Sequence, residues 1–247
     1  MKIIFLGTNG WYDTDTGNTI CTLIKAKSCN VILDAGFGIC KIDRYLDKYK
    51  PTYIFLSHLH LDHLVGLHAL AKFSFGAGVK IFVPKGATAH FRRFLAQPFT
   101  IPPKGLSFKV DIKIAALKMH LKGLDVYSLE LVHSSRCLGY RFKLDNKIIT
   151  YCTDTGPCKN ALKLAQKADL LITECALKKG QSDQGWPHLD PTQAAALAKQ
   201  SKVRKLVLTH FDAYNYKTKK ERQLAQSQAR MDFPYSFAAF DGMQLKI

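Results

Sequence analysis

The chain has 247 residues, of which 47% are hydrophobic, and this composition is typical of a single domain spanning residues 1–247 with its own core. Lysine and arginine number 36 against 19 aspartate and glutamate, a net charge of +17, which indicates either attraction of polyanions such as RNA or a generally cationic surface. No apolar run is long enough for a membrane span or, at the N-terminus, for a signal peptide, so we expect a cytoplasmic protein without membrane contact.

The first half of the chain contains short runs of β-branched and aromatic residues, which are typical of strands. In chain order, strands are predicted at 2–7, 19–26, 30–36, 53–57 and 80–84. Between and after them, helices are predicted at 38–50, 64–73 and 87–96.

The second half begins with four more predicted strands and then alternates helices with strands. The strands lie near 107–117, 124–132, 138–144 and 147–153, and Asp145-Asn146 predicts a tight turn between the last two. Helices are then predicted at 160–168, 191–201 and 217–230, and strands at 169–175, 205–211 and near the terminal FAAF. Such a pattern indicates two sheets with helices packed outside them.

The stretch FLSHLHLDHLVGL, residues 55–67, places three histidines and an aspartate within six residues of an otherwise apolar run. His58 and His60 are alternate residues of an extended segment and point the same way, whereas Asp62 and His63 begin a turn. Titratable groups at a strand end are costly to bury without partners, so the cluster indicates a bound cation.

Three later residues occupy the same structural position, directly after a predicted strand. They are His133 in LELVHSS, Asp154 in IITYCTDTG and His210 in LVLTHF. Each alone is more often an ordinary structural residue, but together with the first cluster they make five histidines and two aspartates. Since one zinc-like ion takes three or four protein ligands, this set suits two ions about 3.5–4 Å apart.

SHLHLDHLVGL resembles the signature of the metallo-β-lactamase fold superfamily, and the later residues follow in that family's order over essentially the whole chain. The resemblance implies an αββα sandwich with the site at one edge of the two sheets. It also implies a set of metal ligands: His58, His60 and His133 for the first metal, Asp62, His63 and His210 for the second, and Asp154 as a bridge.

LVHSSRCLGYRF and YCTDTG are similar to the ribonuclease Z and phosphodiesterase branch of that superfamily. LLITEC resembles the strand that carries a glutamate, here Glu174, and WPHLDPTQAAALAKQ resembles the segment that carries a non-ligand histidine, here His188. The resemblance implies that His188 gives a proton to the leaving oxygen, oriented by Asp62 or Glu174. The alternative for His188 is an ordinary loop histidine, and the alternative for Glu174 is an ordinary polar residue at a strand end. Asp34 resembles a residue that supports the site from behind.

One departure concerns the flexible arm with which tRNA-processing ribonuclease Z enzymes grip tRNA. In the short bacterial form it lies between the third histidine and the bridging aspartate, but here His133 and Asp154 are only 21 residues apart and a hairpin fills the gap. Either the basic surface binds the substrate, or the substrate is not tRNA. A similar cyclic phosphodiesterase of phosphonate metabolism also lacks the arm, but its cysteine-rich zinc site has no counterpart here.

These features predict a dinuclear metal-dependent hydrolase, a phosphodiesterase or nuclease that attacks RNA or a small phosphodiester with a metal-bridging hydroxide. The catalytic residues are His188, Asp62 and Glu174. One alternative is a hydrolase of a carboxylic ester, thioester or lactone, and another is a non-catalytic nucleic-acid-binding protein with a vestigial site. Imidazole and carboxylate ligands favour zinc, with manganese or iron as alternatives. Oligomeric state stays open, although similar nucleases are often homodimers.

Overall fold

The computed structural model describes residues 1–247. Its strands are β1 (Lys2–Gly7), β2 (Asn9–Gly10), β3 (Cys21–Lys25), β4 (Asn30–Leu33), β5 (Thr52–Phe55), β6 (Val79–Val83), β7 (Val110–Ile114), β8 (Lys118–Leu121), β9 (Leu124–Leu131), β10 (Cys137–Leu144), β11 (Lys147–Cys152), β12 (Leu170–Glu174), β13 (Leu206–Thr209), β14 (Phe211–Asp212), β15 (Ser236–Ala238) and β16 (Gln244–Lys246). The α-helices are α1 (Thr88–Phe94), α2 (Lys159–Ala165), α3 (Pro191–Gln200) and α4 (Lys219–Asp232). Four further segments are 3₁₀ helices: Phe37–Arg44, Leu61–His63, Val65–Lys72 and Pro103–Gly105.

The strands form two seven-stranded sheets and one short pair, β14-β2. The first sheet has the order β16-β1-β3-β4-β5-β6-β7, and the second has the order β15-β13-β12-β11-β10-β9-β8. Strands β4 to β7 run parallel, as do β11, β12, β13 and β15. Strand β10 is antiparallel to both β9 and β11, so β9 and β11 run in the same direction. The C-terminal ends of β9, β11, β12 and β13 therefore lie at one edge of the second sheet.

The central core lies between the two sheets and is built largely of aromatic rings. The ring of Phe55 stacks on Phe82 with centroids 4.7 Å apart, and it meets Tyr140 and Phe142 of the opposite sheet edge-on at 5.3 and 5.1 Å. Helices α2, α3 and α4 cover the outer face of the second sheet. Helix α1 and the longer 3₁₀ helices cover that of the first. This four-layer arrangement confirms the predicted αββα sandwich.

Most predicted elements are present, and two of the predicted helices are of the 3₁₀ type. The helix predicted at 38–50 is Phe37–Arg44, six residues shorter at its end, and the helix predicted at 64–73 is Val65–Lys72. Neither has a side-chain N-cap, and Gly36, Gly38 and Gly66 lie directly against neighbouring backbone, so close packing determines their geometry.

Sequence reasoning also missed the short edge strands β8 and β16, of which β8 buries one residue and β16 none. Strands of three or four residues with so few buried positions carry little hydrophobic alternation. The predicted turn at Asp145-Asn146 is confirmed, with φ values of 48° and 58° that suit a two-residue hairpin. None of the helices combines the length and apolar character that a membrane span requires.

The central aromatic core makes a first prediction. Replacing Phe55, which is fully buried, with alanine should destabilise the fold by about 3–5 kcal/mol, since it removes the contacts to both sheets and leaves a cavity. Phe99→Ala, at a side chain that is 60% exposed, should change stability by less than about 0.5 kcal/mol. Urea unfolding measures both, and equal effects would contradict the position of this core.

Candidate metal centre

Strand ends from both sheets deliver the polar side chains of one cluster. In chain order these are Asp34 after β4, His58 after β5, His133 after β9, Asp154 after β11, Glu174 at the end of β12 and His210 after β13. Asp34, Asp154 and His210 have left-handed backbone, with φ between 50° and 52°. This conformation is uncommon for non-glycine residues and costs of order 1–3 kcal/mol each. Strain of this kind at three converging strand ends is typical of a functional site.

One group of potential ligand atoms consists of His58, His60, His133 and Asp154, whose ligand atoms lie within 4.8 Å of one another. Asp154 Oδ2 is 3.4 Å from His58 Nε2 and 3.6 Å from His133 Nε2. His60 belongs to the same group, since its Nδ1 is 3.4 Å from His133 Nε2. The four residues come from three strand ends, so only the folded chain can assemble them.

The other group consists of Asp62, His63 and His210. The Nε2 atoms of His63 and His210 are 3.1 Å apart, and Asp62 Oδ2 is 3.3 and 3.2 Å from them. Asp154 also reaches this group, since its Oδ2 is 3.3 Å from His63 Nε2 and its Oδ1 is 3.1 Å from His210 Nε2. Asp154 is thus in contact with both groups.

Burial keeps two imidazoles of the first ligand group in the neutral form that binds metals. It lowers the pKa of His58 well below its usual range and that of His133 to about 4, so both imidazoles are neutral and keep a lone pair. Burial raises the pKa of Asp154, but His210 and His63 outweigh it and hold that pKa well below its usual range. Asp154 is therefore an ionised carboxylate.

The cluster also has the electrostatics of a cation site. Burial lowers the pKa of His63, yet the carboxylates of Asp154, Asp62 and Asp34 outweigh it and raise that pKa well above its usual range. A fully buried imidazole shifted in this direction reports a strongly negative potential. In addition, the buried Nε2 atom of His58 makes no hydrogen bond. Convergent lone pairs, negative potential and an unpaired buried nitrogen fit divalent cations bound by imidazole and carboxylate.

Asp34 supports the cluster from behind. Its Oδ2 accepts hydrogen bonds from His63 Nδ1 at 2.8 Å, Ser57 Oγ at 2.8 Å and Tyr151 OH at 2.6 Å, and its Oδ1 accepts from the Ser57 backbone at 2.7 Å. In the neutral ring that a metal binds, a proton on Nδ1 of His63 would leave Nε2 with its lone pair towards the cluster. Sequence reasoning missed Ser57 and Tyr151, although Ser57 is adjacent to the histidine motif.

Glu174 fixes the position of His188. Its Oε1 accepts from His188 Nδ1 at 2.8 Å and from the Thr155 backbone at 2.6 Å, and its Oε2 accepts from the backbone of Ala176 and Leu189. Burial alone would lower the pKa of His188, but the Glu174 carboxylate outweighs it and raises that pKa to about 9. Of the two predicted orienting residues, the structure pairs His188 with Glu174, whereas Asp62 pairs with His210.

His188 lies next to the cluster while its Nδ1 is occupied by Glu174. Its ring centroid is 5.3 Å from that of His133, and it has a ring nitrogen within 4.8 Å of ligand atoms of Asp154 and His210. Nε2 takes part in none of the side-chain hydrogen bonds. The ring is therefore placed to exchange a proton with a group bound at the cluster.

The loop that follows β1 closes the other side of the cluster. The backbone N–H of Trp11 donates to Asp62 Oδ2 at 2.8 Å, and a Cβ on Gly10 would lie only 2.5 Å from the His210 ring. Buried Arg222 of α4 secures this loop by donating to Thr8 Oγ1 at 2.9 Å and to the side chains of Asn9 and Thr16. Gly10 and Arg222 have no local sequence signal, since the loop and α4 are about 200 residues apart.

A family model described as a beta-lactamase superfamily domain matches residues 29–211. The chain therefore belongs to the metallo-β-lactamase superfamily, as its motifs predict. The matched range includes all seven residues of the two ligand groups as well as Asp34, Glu174 and His188.

Similar proteins include the probable metallo-hydrolase YhfI of Bacillus subtilis, which is 23% identical over 85% of this chain and 87% of its own length. A crystal structure of YhfI superposes with a TM-score of 0.82 at 18% identity, covering 99% of this chain and 98% of that one. Ribonuclease Z of Pyrococcus horikoshii is 25% identical, with 91% of each chain covered. The short form of human tRNase Z superposes with a TM-score of 0.78 at 22% identity, covering 100% and 99%.

These matches confirm the predicted resemblance to the ribonuclease Z-like branch and the prediction of a metal-dependent hydrolase. The alignment with the Pyrococcus ribonuclease Z extends over 284 positions, more than the 247 residues of this chain, whereas that with YhfI extends over 220. The ribonuclease therefore has insertions that this chain lacks. Between His133 and Asp154 this chain has only the hairpin of β10 and β11, as predicted.

The contact between Asp34 and His63 makes a prediction about metal affinity. Asp34→Asn should weaken metal binding by about 10–100-fold, because the amide no longer fixes the Nδ1–H form of His63. Asp43→Asn, at an exposed carboxylate paired with Lys72, is the matched control and should bind metal like the wild type. Competition with a chelating dye measures both affinities. Equal affinities of the two variants would refute the role of Asp34.

Proposed function

We propose that this member of the metallo-β-lactamase superfamily is a dinuclear metal-dependent phosphodiesterase or nuclease, and that residues 1–247 form its single hydrolase domain. The observation that carries the proposal is the position of Asp154, whose two oxygens contact both groups of histidines at 3.1–3.6 Å. A carboxylate shared by two ligand groups is the arrangement of a two-metal site.

The donor set supports two ions. His58, His60 and His133 would hold one, Asp62, His63 and His210 would hold the other, and Asp154 would be shared. Neutral imidazole with carboxylate and no thiolate suits zinc, with manganese or iron as alternatives. When bound, two such ions supply a water that ionises near neutral pH and positive charge beside the phosphoryl oxygens.

The chain itself supplies the proton for the leaving oxygen. Glu174 holds Nδ1 of His188 and favours the protonated ring, so Nε2 carries a proton next to the cluster. Glu174 also holds the backbone after Asp154, so one buried carboxylate positions both the donor and the shared ligand. Asp62 Oδ2 contacts His210 Nε2 and accepts a hydrogen bond from the Trp11 backbone N–H, and these contacts hold the second ligand group in place. Glu174 is thus a positioning residue, and His188 is the catalytic residue.

A phosphodiester substrate is favoured by the charge of the chain and by its relatives. A net charge of +17 attracts polyanions, and the relatives include proteins named ribonuclease Z and tRNase Z. The intact set of ligands argues against a vestigial site. Since the chain lacks the insertions of the larger relative, we propose RNA or a smaller phosphodiester as the substrate, bound by the basic surface. Seven free cysteines suit a cytoplasmic location.

The substrate class can be tested with the metal-loaded protein. We expect hydrolysis of ethyl p-nitrophenyl phosphate and of short RNA, and at most trace hydrolysis of p-nitrophenyl acetate, a thioester or a lactone. The reason is that His188 donates a proton to the leaving oxygen of a phosphodiester and that the net charge of +17 attracts phosphate. His60→Ala should abolish turnover while sparing the binding of RNA. Turnover confined to the acyl substrates would overturn the proposal, and full turnover by His60→Ala would remove the metal mechanism.

The proton donor can be tested separately. His188→Ala should lower kcat by roughly 10²–10⁴-fold while the metal content stays that of the wild type, because His188 supplies a proton rather than a ligand. His90→Ala, at an exposed histidine of α1, is the control and should leave kcat unchanged. Loss of bound metal in the His188 variant would instead make this residue a ligand.

A further inference from the structure

The chain has only two tryptophans, and both have exposed indoles on loops that contact the metal centre. Trp11 is 67% exposed and Trp186 is 52% exposed. Tryptophan is usually largely buried in folded proteins because its ring has the largest apolar surface of any side chain. Two exposed indoles at one site therefore indicate a surface that a ligand covers.

Trp186 lies over the first ligand group. Its ring centroid is 5.2 Å from that of His60 and 5.9 Å from that of His133. The segment around it is secured on both sides, since Asp183 Oδ1 accepts from the Trp186 backbone at 3.0 Å and His188 is bound to Glu174. Trp186 is thus placed on the same loop as the proton donor.

Trp11 lies beside the second ligand group. It has a φ of 70°, a left-handed conformation that is rare for a bulky side chain, and in this conformation its backbone N–H reaches Asp62. Arg222 secures the loop through Thr8 and Asn9. Strain of this kind is characteristic of functional sites, and here it places the backbone of an exposed tryptophan next to Asp62.

We propose that Trp11 and Trp186 form a stacking subsite for the bases on the two sides of the scissile phosphate, so that the substrate is an unpaired nucleotide or single-stranded RNA. The inference rests on the proposed phosphodiesterase function. A phosphate bound at the metal centre would direct its two substituents towards the segments around that centre. These segments include the Trp186 ring beside His60 and the loop that carries Trp11 beside Asp62. Bases of any identity stack on indole faces, whereas paired bases present no free face.

Binding can be measured by fluorescence, because each single substitution leaves one indole. In Trp11→Phe and in Trp186→Phe, adenosine monophosphate should quench the remaining tryptophan, whereas ribose 5-phosphate should not, since only the former has a base. Equal quenching by the two compounds, or none by either, would overturn the subsite. This result does not depend on turnover.

Hydrolysis gives a second readout with matched substrates. For Trp186→Ala and Trp11→Ala we expect kcat/KM to fall about tenfold or more on a dinucleotide, and less than about twofold on ethyl p-nitrophenyl phosphate. Trp→Phe should restore most of the loss, and Tyr49→Ala, at a side chain that is 79% exposed, should have no effect. Losses that are equal on the two diesters would overturn the subsite.

The two proposals fail in different ways. If neither diester is hydrolysed by the wild type, the phosphodiesterase proposal fails, and the quenching experiment still decides the stacking subsite. If both diesters are hydrolysed but base and ribose compounds behave alike, the stacking subsite fails alone. Exposed indoles that instead serve contact between copies of the chain would give this second outcome.

Discussion

Asp154 is a buried carboxylate surrounded by imidazoles, and the surrounding structure is organised to keep it there. Each of His58, His63, His133 and His210 has a ring nitrogen within 3.6 Å of its oxygens, so lone pairs and negative charge converge on a volume that water does not reach freely. Such a group is stable only with compensating positive charge. The left-handed residues at three strand ends, the Asp34 hydrogen bonds behind His63 and the Glu174 hydrogen bonds behind Asp154 all serve to aim donors at this point.

The net charge of the chain and the local charge of the site have opposite signs and therefore favour different ligands. The chain as a whole carries +17, which draws anions over long distances, whereas the site concentrates Asp34, Asp62, Asp154 and Glu174 and favours cations at short range. Once cations neutralise the local carboxylates, both the site and the net charge favour a phosphate. Three supporting residues each hold a different part of the site: Asp34 holds His63, Glu174 holds His188, and Arg222 holds the loop after β1.

The sequence was sufficient for the architecture and for the residues with a local signal. HxHxDH has a distinctive spacing, and the strand-end positions of His133, Asp154 and His210 follow from β-branched runs that end in polar residues. Residues whose role depends on distant contacts left no such signal. Gly10 is needed because the His210 ring lies against it, and Arg222 looks like any other basic residue of an amphipathic helix. The sequence also left open whether Asp62 or Glu174 orients His188. Only the folded chain shows that the hydrogen bond is to Glu174. The helices at 37–44 and 65–72 were predicted, but their 3₁₀ type depends on close packing of glycines against neighbouring backbone, which has no local signal.

Metal stoichiometry tests most directly whether the seven side chains form a two-metal site. The full chain, stripped with a chelator and then equilibrated with zinc or manganese, can be freed of unbound ions and analysed for metal per chain by mass spectrometry. The structure predicts two ions per chain for the wild type, since each ligand group offers three donors and shares Asp154. A value of one ion or none for every divalent metal tried would contradict a two-metal site.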